Sequence, residues 1–130
     1  MPLTLTLMID YTEANKRAQE TLVGFPPQVT AAYLDAAETG SPESLDVAVL
    51  GVLHFYLAKK PKTSLDALPG TTRLVEDLGC DSLTMMDTIF MMESLFDIDI
   101  DDTELSRLST LDQLRNYLRH LVQADVMAAA

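Results

Sequence analysis

Residues 78–96 read LGCDSLTMMDTIFMMESLF, and this stretch decides the fold. Two polar residues, Asp81 and Ser82, come directly before a run whose apolar side chains recur at helical spacing as far as Phe96. This spacing predicts a helix over 82–96. Its apolar residues separate into two rows. The predicted inward row is Met85, Ile89, Met92 and Phe96, while Met86 and Phe90 fall beside it, nearer the surface.

Helical patterns continue on both sides of this central helix. Residues 42–60 have apolar side chains at helical spacing and are predicted to form a helix that ends before Pro61. A long connection follows over 61–81. A short helical piece is predicted over 102–108, and a last helix over 109–122. The fold class predicted is all-α: a four-helix bundle whose third helix is short.

An N-terminal extension precedes this bundle. Residues 3–9 alternate in a period of two and predict a short strand. Two helical segments follow, over about 10–23 and 28–38, separated by a Gly-Phe-Pro-Pro run. The predicted division is an extension over 1–41, a four-helix domain over 42–123, and a tail over 124–130 that is expected to fray.

Composition and charge narrow the classes of partner. The chain has 130 residues, 48% of them hydrophobic, which suits one domain with one core. It has 20 acidic and 9 basic residues, a net charge of -11, which argues against nucleic acid and against an anionic membrane surface. Ten of the acids, and no Lys or Arg, lie in residues 74–106. An acidic stretch with this apolar load favours a docking face for a basic partner protein.

The single cysteine, Cys80, excludes an internal disulfide and a cysteine-rich metal site. A reducing, cytoplasmic compartment is therefore expected. No apolar run of about 18 residues predicts a membrane span, and no secretory signal is predicted at the N-terminus. Nothing in the sequence indicates a base for Cys80 as a nucleophile. Ser82 does not lie in a Gly-X-Ser-X-Gly motif, so a serine hydrolase is not expected.

The sequence also predicts no metal site. Asp97, Asp99 and Asp101 alternate as in a calcium-binding loop, but the glycine and the final glutamate of that loop are missing. The two histidines, His54 and His120, have no second ligand pattern nearby.

The segment Leu78-Gly79-Cys80-Asp81-Ser82-Leu83 resembles the attachment motif of the acyl carrier protein family, which is Asp-Ser-Leu preceded by Leu-Gly and one residue. Three flanking segments continue the resemblance. Residues 75–79 resemble the end of the family's first loop, 96–102 the close of its second helix, and 109–112 the start of its last helix. Together they cover roughly residues 43–121.

The resemblance implies a non-catalytic carrier. It implies that Ser82 bears a covalent 4′-phosphopantetheine arm taken from coenzyme A, and that acyl groups are held on this arm as thioesters. It also implies that Asp81 is recognised by the modifying transferase and its Mg²⁺. A helix N-terminus, with its unpaired N–H groups, suits a phosphodiester on independent grounds. Acyl-processing enzymes with basic patches are the implied partners. The implied docking residues are Leu83, Met86, Asp87, Phe90 and Glu93.

Two departures from the family favour a specialised carrier. The connection before Ser82 is longer than the family's, and the extension over 1–41 has no counterpart in a minimal carrier. Dimerisation, docking to one dedicated enzyme and packing on the bundle are all open roles for the extension. The pathway is also open among fatty-acid, polyketide and related lipid biosynthesis. The alternative function is an unmodified, carrier-like interaction module that acts through its acidic helix and the extension. The intact Asp81-Ser82-Leu83 motif favours the carrier.

Overall fold

The computed structural model describes residues 11–105 and 107–129, and within them the chain is helical. The helices are α1 (Tyr11–Thr21), α2 (Pro27–Thr39), α3 (Pro42–Tyr56), α4 (Ser82–Phe96), α5 (Asp102–Leu105) and α6 (Leu111–Ala129). No strand forms in the described part of the chain, where an isolated bridge pairs Arg73 with Thr110. The all-α prediction, with a short third bundle helix and a helical extension, is confirmed. The strand predicted over 3–9 lies outside the described residues.

The first bundle helix is shorter than predicted. α3 ends at Tyr56, not at Lys60, because Leu57 takes an extended conformation that leaves its side chain fully buried. The helix therefore ends where Leu57 enters the core, ahead of Pro61. Lys60 still interacts with the helix end, since its Nζ donates a hydrogen bond to the Leu57 carbonyl at 3.0 Å. A cation in this position suits the partial negative charge of a helix C-terminus.

The last two helices also differ from their predicted bounds. α5 ends at Leu105 rather than near residue 108, because the chain must turn toward the connection, where the Ser109 carbonyl accepts a hydrogen bond from the Leu74 N–H at 2.8 Å. α6 continues to Ala129, past the predicted end near Val122, through a sequence without Gly or Pro.

The long connection between α3 and α4 is well packed. A short 3₁₀ turn (Leu65–Ala67) lies near its start, and Leu65, Leu74 and Leu78 are buried. The start of α6 holds it in place, since the Leu111 N–H donates to the Thr72 carbonyl at 3.0 Å. The position at which α4 begins is therefore fixed both by the buried leucines of the connection and by its hydrogen bond to the start of α6.

The extension shares one hydrophobic core with the bundle. α2 packs along α3, and α1 packs against α2 and α4. Gly51 allows the close approach of α2, because a Cβ there would lie 2.5 Å from Val29 Cγ2. The Tyr33 hydroxyl, fully buried, donates to the Leu95 carbonyl at 2.7 Å. Arg17 Nη1 donates to the Ser94 carbonyl at 3.0 Å. Two residues of the extension thus satisfy carbonyl groups in the last turn of α4.

A partly buried ion pair joins the first and last bundle helices. Both carboxylate oxygens of Asp46 on α3 accept hydrogen bonds from the Arg119 guanidinium on α6, one of them from Nε at 2.8 Å. Asp46 is almost fully buried, so the pair is shielded from water on the carboxylate side. The bidentate geometry fixes the relative position of α3 and α6.

None of the helices in the described residues is long and apolar enough to cross a membrane.

Candidate functional site

The turn before α4 is set by a glycine. Gly79 has φ +68, a left-handed conformation that L side chains rarely adopt, and its N–H donates to the Val75 carbonyl at 2.9 Å. The next N–H, that of Cys80, donates to the Leu74 carbonyl at 2.9 Å, and the Cys80 side chain is buried. This anchored turn brings Asp81 and Ser82 to the surface.

Asp81 is the N-cap of α4. Its backbone is extended, and its Oδ1 accepts a hydrogen bond from the Thr84 N–H at 2.8 Å. Hydrogen bonds from the backbone N–H and then from the side chain of Thr84 hold the pKa of the Asp81 carboxyl below its ordinary value, so the exposed carboxylate is ionised at neutral pH. The capping position of Asp81 therefore leaves a negative charge beside Ser82.

Ser82 is the first residue of α4 and is exposed. Its hydroxyl has no hydrogen-bond partner among the described residues, so nothing there competes with an incoming reactant. The backbone N–H groups of the first turn point toward this end of the helix, where the helix dipole is positive. A negatively charged group at this position is favoured by such an environment.

The outer face of α4 carries three large exposed apolar side chains. Leu83 is 66% exposed, Met86 50% and Phe90 58%. Their spacing of three and four residues places them on one side of the helix. The predicted inward row lies on the other side: Ile89, Met92 and Phe96 are buried and Met85 is half-buried. The two rows predicted from the sequence are therefore separated in the structure as expected.

The two predicted docking acids on α4 have different surroundings. Asp87 is half-buried and lies close to Tyr56. Burial of Tyr56 raises the pKa of its phenol, and the charge of Asp87 raises it further. Glu93 Oε2 accepts a hydrogen bond from the Ile100 N–H at 2.9 Å, which ties α4 to the loop after it. Glu93 thus has a structural contact, and its role in docking stays a prediction.

Cys80 is not placed for chemistry. Burial, and to a smaller extent the Asp81 charge, raises the pKa of its thiol to about 11. Of the histidines, His54 is half-buried on α3, while His120 is exposed on α6. The described residues contain no group of three or more His, Cys, Asp or Glu side chains that could hold a metal ion.

Val75 is a surface residue that the sequence pattern did not single out. It is 62% exposed, although its neighbour Leu74 is buried. Because its carbonyl accepts the Gly79 N–H, Val75 belongs to the same turn that presents Ser82. The available signal was the adjacent apolar pair Leu74-Val75, of which one side chain enters the core and the other is left at the surface of the turn.

Comparison with known proteins points to the same segment. A family model described as a phosphopantetheine attachment site matches residues 53–118. An acyl carrier protein of Desulforapulum autotrophicum is 43% identical over 54 residues, 42% of this chain and 69% of that protein. One of Campylobacter curvus is 32% identical over 75 residues, 58% of this chain and 97% of that protein. No solved structure matches the chain significantly.

Proposed function

Since the chain belongs to the acyl carrier protein family, whose covalent prosthetic group is 4′-phosphopantetheine, we propose that Ser82 bears this group and that the protein presents acyl thioesters to separate enzymes. The observation that carries the proposal is the exposed, unpaired Ser82 hydroxyl at the first position of α4, directly after the ionised N-cap Asp81.

The residues around Ser82 fit the group. The hydroxyl is accessible, and a Cβ built on the neighbouring Gly79 meets no atom within 4 Å, so the approach from the turn is open. The first-turn N–H groups and the helix dipole favour the negative charge of a phosphodiester. When attached, the group supplies a terminal thiol that holds acyl chains as thioesters.

Asp81 is proposed to be the recognition residue for the modifying transferase. Its carboxylate is exposed and ionised, and it adjoins the acceptor hydroxyl. The hydrogen bond to the Thr84 N–H fixes the orientation of the carboxylate. A transferase that uses Mg²⁺ would thus meet a carboxylate held in a single conformation beside the nucleophile.

The outer face of α4 is proposed to be the docking surface for partner enzymes. Leu83, Met86 and Phe90 supply apolar contact area. Asp87 beside them supplies negative charge, and Glu93 contributes further down the helix. Enzymes with an apolar pocket rimmed by Arg and Lys suit this surface, and opposite charges would speed their encounter.

We further propose that the protein is non-catalytic and acts within fatty-acid, polyketide or related lipid biosynthesis in the cytoplasm. The carrier domain is proposed to span 42–123. The extension differs from the family pattern in packing on α3 and α4, and this supports a specialised carrier rather than a general one.

Intact mass after incubation with coenzyme A, Mg²⁺ and a broad-specificity phosphopantetheinyl transferase tests the proposal. We expect wild type to gain one phosphopantetheinyl group and Ser82→Ala to gain none. Ser94→Ala is the matched control, because Ser94 is also an exposed serine of α4, and it should be modified like wild type. A folded wild type that several transferases leave unmodified would favour the unmodified interaction module instead.

A further inference from the structure

A groove of about 330 Å³ lies between α2, α3 and the loop after α3, on residues that the carrier chemistry does not use. Its volume falls within the range of about 300–1,000 Å³ that is usual for small-molecule sites. Three of its lining residues, Val29, Leu50 and Leu65, are buried aliphatic side chains that form an apolar floor. Because α2 supplies one side, the groove depends on the N-terminal extension.

The two lysines at this groove form no ion pair within the described residues, whereas four of the five arginines of the chain do. Arg17, Arg73, Arg115 and Arg119 each form an ion pair with a carboxylate. Lys60 and Lys62 line the groove, and neither has a carboxylate within 4.0 Å in the part of the chain that the structure describes.

Lys60 is held at the groove by its own contacts. Its Nζ donates to the Leu57 carbonyl at 3.0 Å and lies 6.0 Å from the centre of the Phe55 ring, which also lines the groove. The lining includes one carboxylate, Asp66, so the two lysines and this carboxylate together carry one net positive charge. The lining of the groove thus carries a net positive charge above its apolar floor, whereas the whole chain has a net charge of -11.

We propose that this groove binds a free medium-chain carboxylate, with its head group at Lys60 and Lys62 and its chain on the apolar floor. One net positive charge matches a monoanion. The charge also selects the free acid over cargo on the carrier's own arm, because an acyl group held as a thioester has lost its carboxylate. The extension therefore builds a second binding site beside the carrier domain.

Titration of the ¹⁵N-labelled, unmodified protein with octanoate, followed by amide chemical shifts, tests the proposal. We expect saturable shifts at Gly51 and Ser64, which line the groove. Lys62→Met should weaken binding about twofold to fivefold, as expected for one partly solvated ion pair. Lys59→Met is the matched control, since Lys59 is a neighbouring exposed lysine outside the lining, and it should bind like wild type.

Two further measurements distinguish this site from the one at Ser82. Octan-1-ol has the same chain without the charge and should bind more weakly than octanoate. Ser82→Ala should bind octanoate like wild type, so failure of the arm to attach at Ser82 leaves this proposal standing. The proposal is overturned by octanoate shifts confined to α4, by equal affinity for octanol, by an equal loss in Lys59→Met and Lys62→Met, or by no saturable shift at all.

Discussion

α2 and α4 both pack against α3, but they use their apolar residues differently. On α2, Val29, Tyr33, Ala36 and Ala37 are all buried, and no large apolar side chain of that helix is exposed. α4 buries a comparable row and in addition leaves Leu83, Met86 and Phe90 at the surface. The large apolar side chains of α2 are therefore covered within the chain, whereas those of α4 are only partly covered.

This difference predicts which residues determine stability and which determine partner recognition. Exposed apolar side chains on one helical face contribute little to folding, and a patch of them is typical of a surface that contacts another molecule. The start of α4 adds the exposed hydroxyl of Ser82 and the ionised carboxylate of Asp81. Substitutions in α2 should accordingly reduce stability, and substitutions on the outer face of α4 should reduce partner recognition.

The largest effect on stability is expected at Tyr33. Tyr33→Ala removes a fully buried ring that packs edge-on against Phe96, with ring centres 5.3 Å apart, and leaves the Leu95 carbonyl without its donor. We expect a loss of about 3–5 kcal/mol in the free energy of unfolding. Urea unfolding monitored by circular dichroism measures it. A loss below about 1 kcal/mol would show that the extension is not part of the cooperative core.

Adjacent residues of α4 give the sharpest test of its two faces. Ile89 is buried and Phe90 is 58% exposed. Ile89→Ala should cost about 2–4 kcal/mol of stability, and Phe90→Ala no more than about 0.5 kcal/mol. The order should reverse for docking, where Phe90→Ala is expected to lower kcat/KM of a partner enzyme about fivefold or more. Equal docking by Phe90→Ala and wild type would place the docking surface elsewhere.

Alkaline pH tests how α2 is joined to α4. Burial raises the pKa of Tyr33 to about 12, from 10.0 when unfolded. Between these values the folded state holds more protons than the unfolded state, so stability falls as pH rises from 10 to about 12. The fall at this site is about 2–3 kcal/mol. Tyr33→Phe should lose about 1 kcal/mol at neutral pH and show a smaller alkaline fall than wild type. Identical alkaline slopes would contradict a buried Tyr33 hydroxyl.

Local signals predicted α4 well. The Asp81-Ser82 start and the period of the apolar residues gave its bounds, and the same period distinguished buried Ile89 from exposed Phe90. These features depend on residues close in sequence, since an N-cap reaches three residues and a helical face repeats every three to four. The motif around Ser82 is likewise local.

Contacts between distant residues could not be predicted. Tyr33 and Leu95 are 62 positions apart, and Asp46 and Arg119 are 73 apart, so no spacing rule pairs them. The same limit explains the error at the end of α3. Leu57 continues the helical period, and only the position of the core decides that it leaves the helix.

Two left-handed glycines offer the smallest and most selective test of the comparison. Gly24 (φ +86) lies in the turn before α2 and Gly79 (φ +68) in the turn before α4, and a Cβ on either meets no atom within 4 Å. Alanine at either position should therefore cost about 1 kcal/mol through backbone strain alone. Because Gly79 sets the turn that presents Ser82, only Gly79→Ala should slow phosphopantetheinyl transfer, by up to about tenfold. Intact-mass time courses at matched folded fractions measure this. Equal rates for both variants would mean that the transferase tolerates a displaced turn, and that the fixed orientation of Asp81 and Ser82 contributes little to recognition.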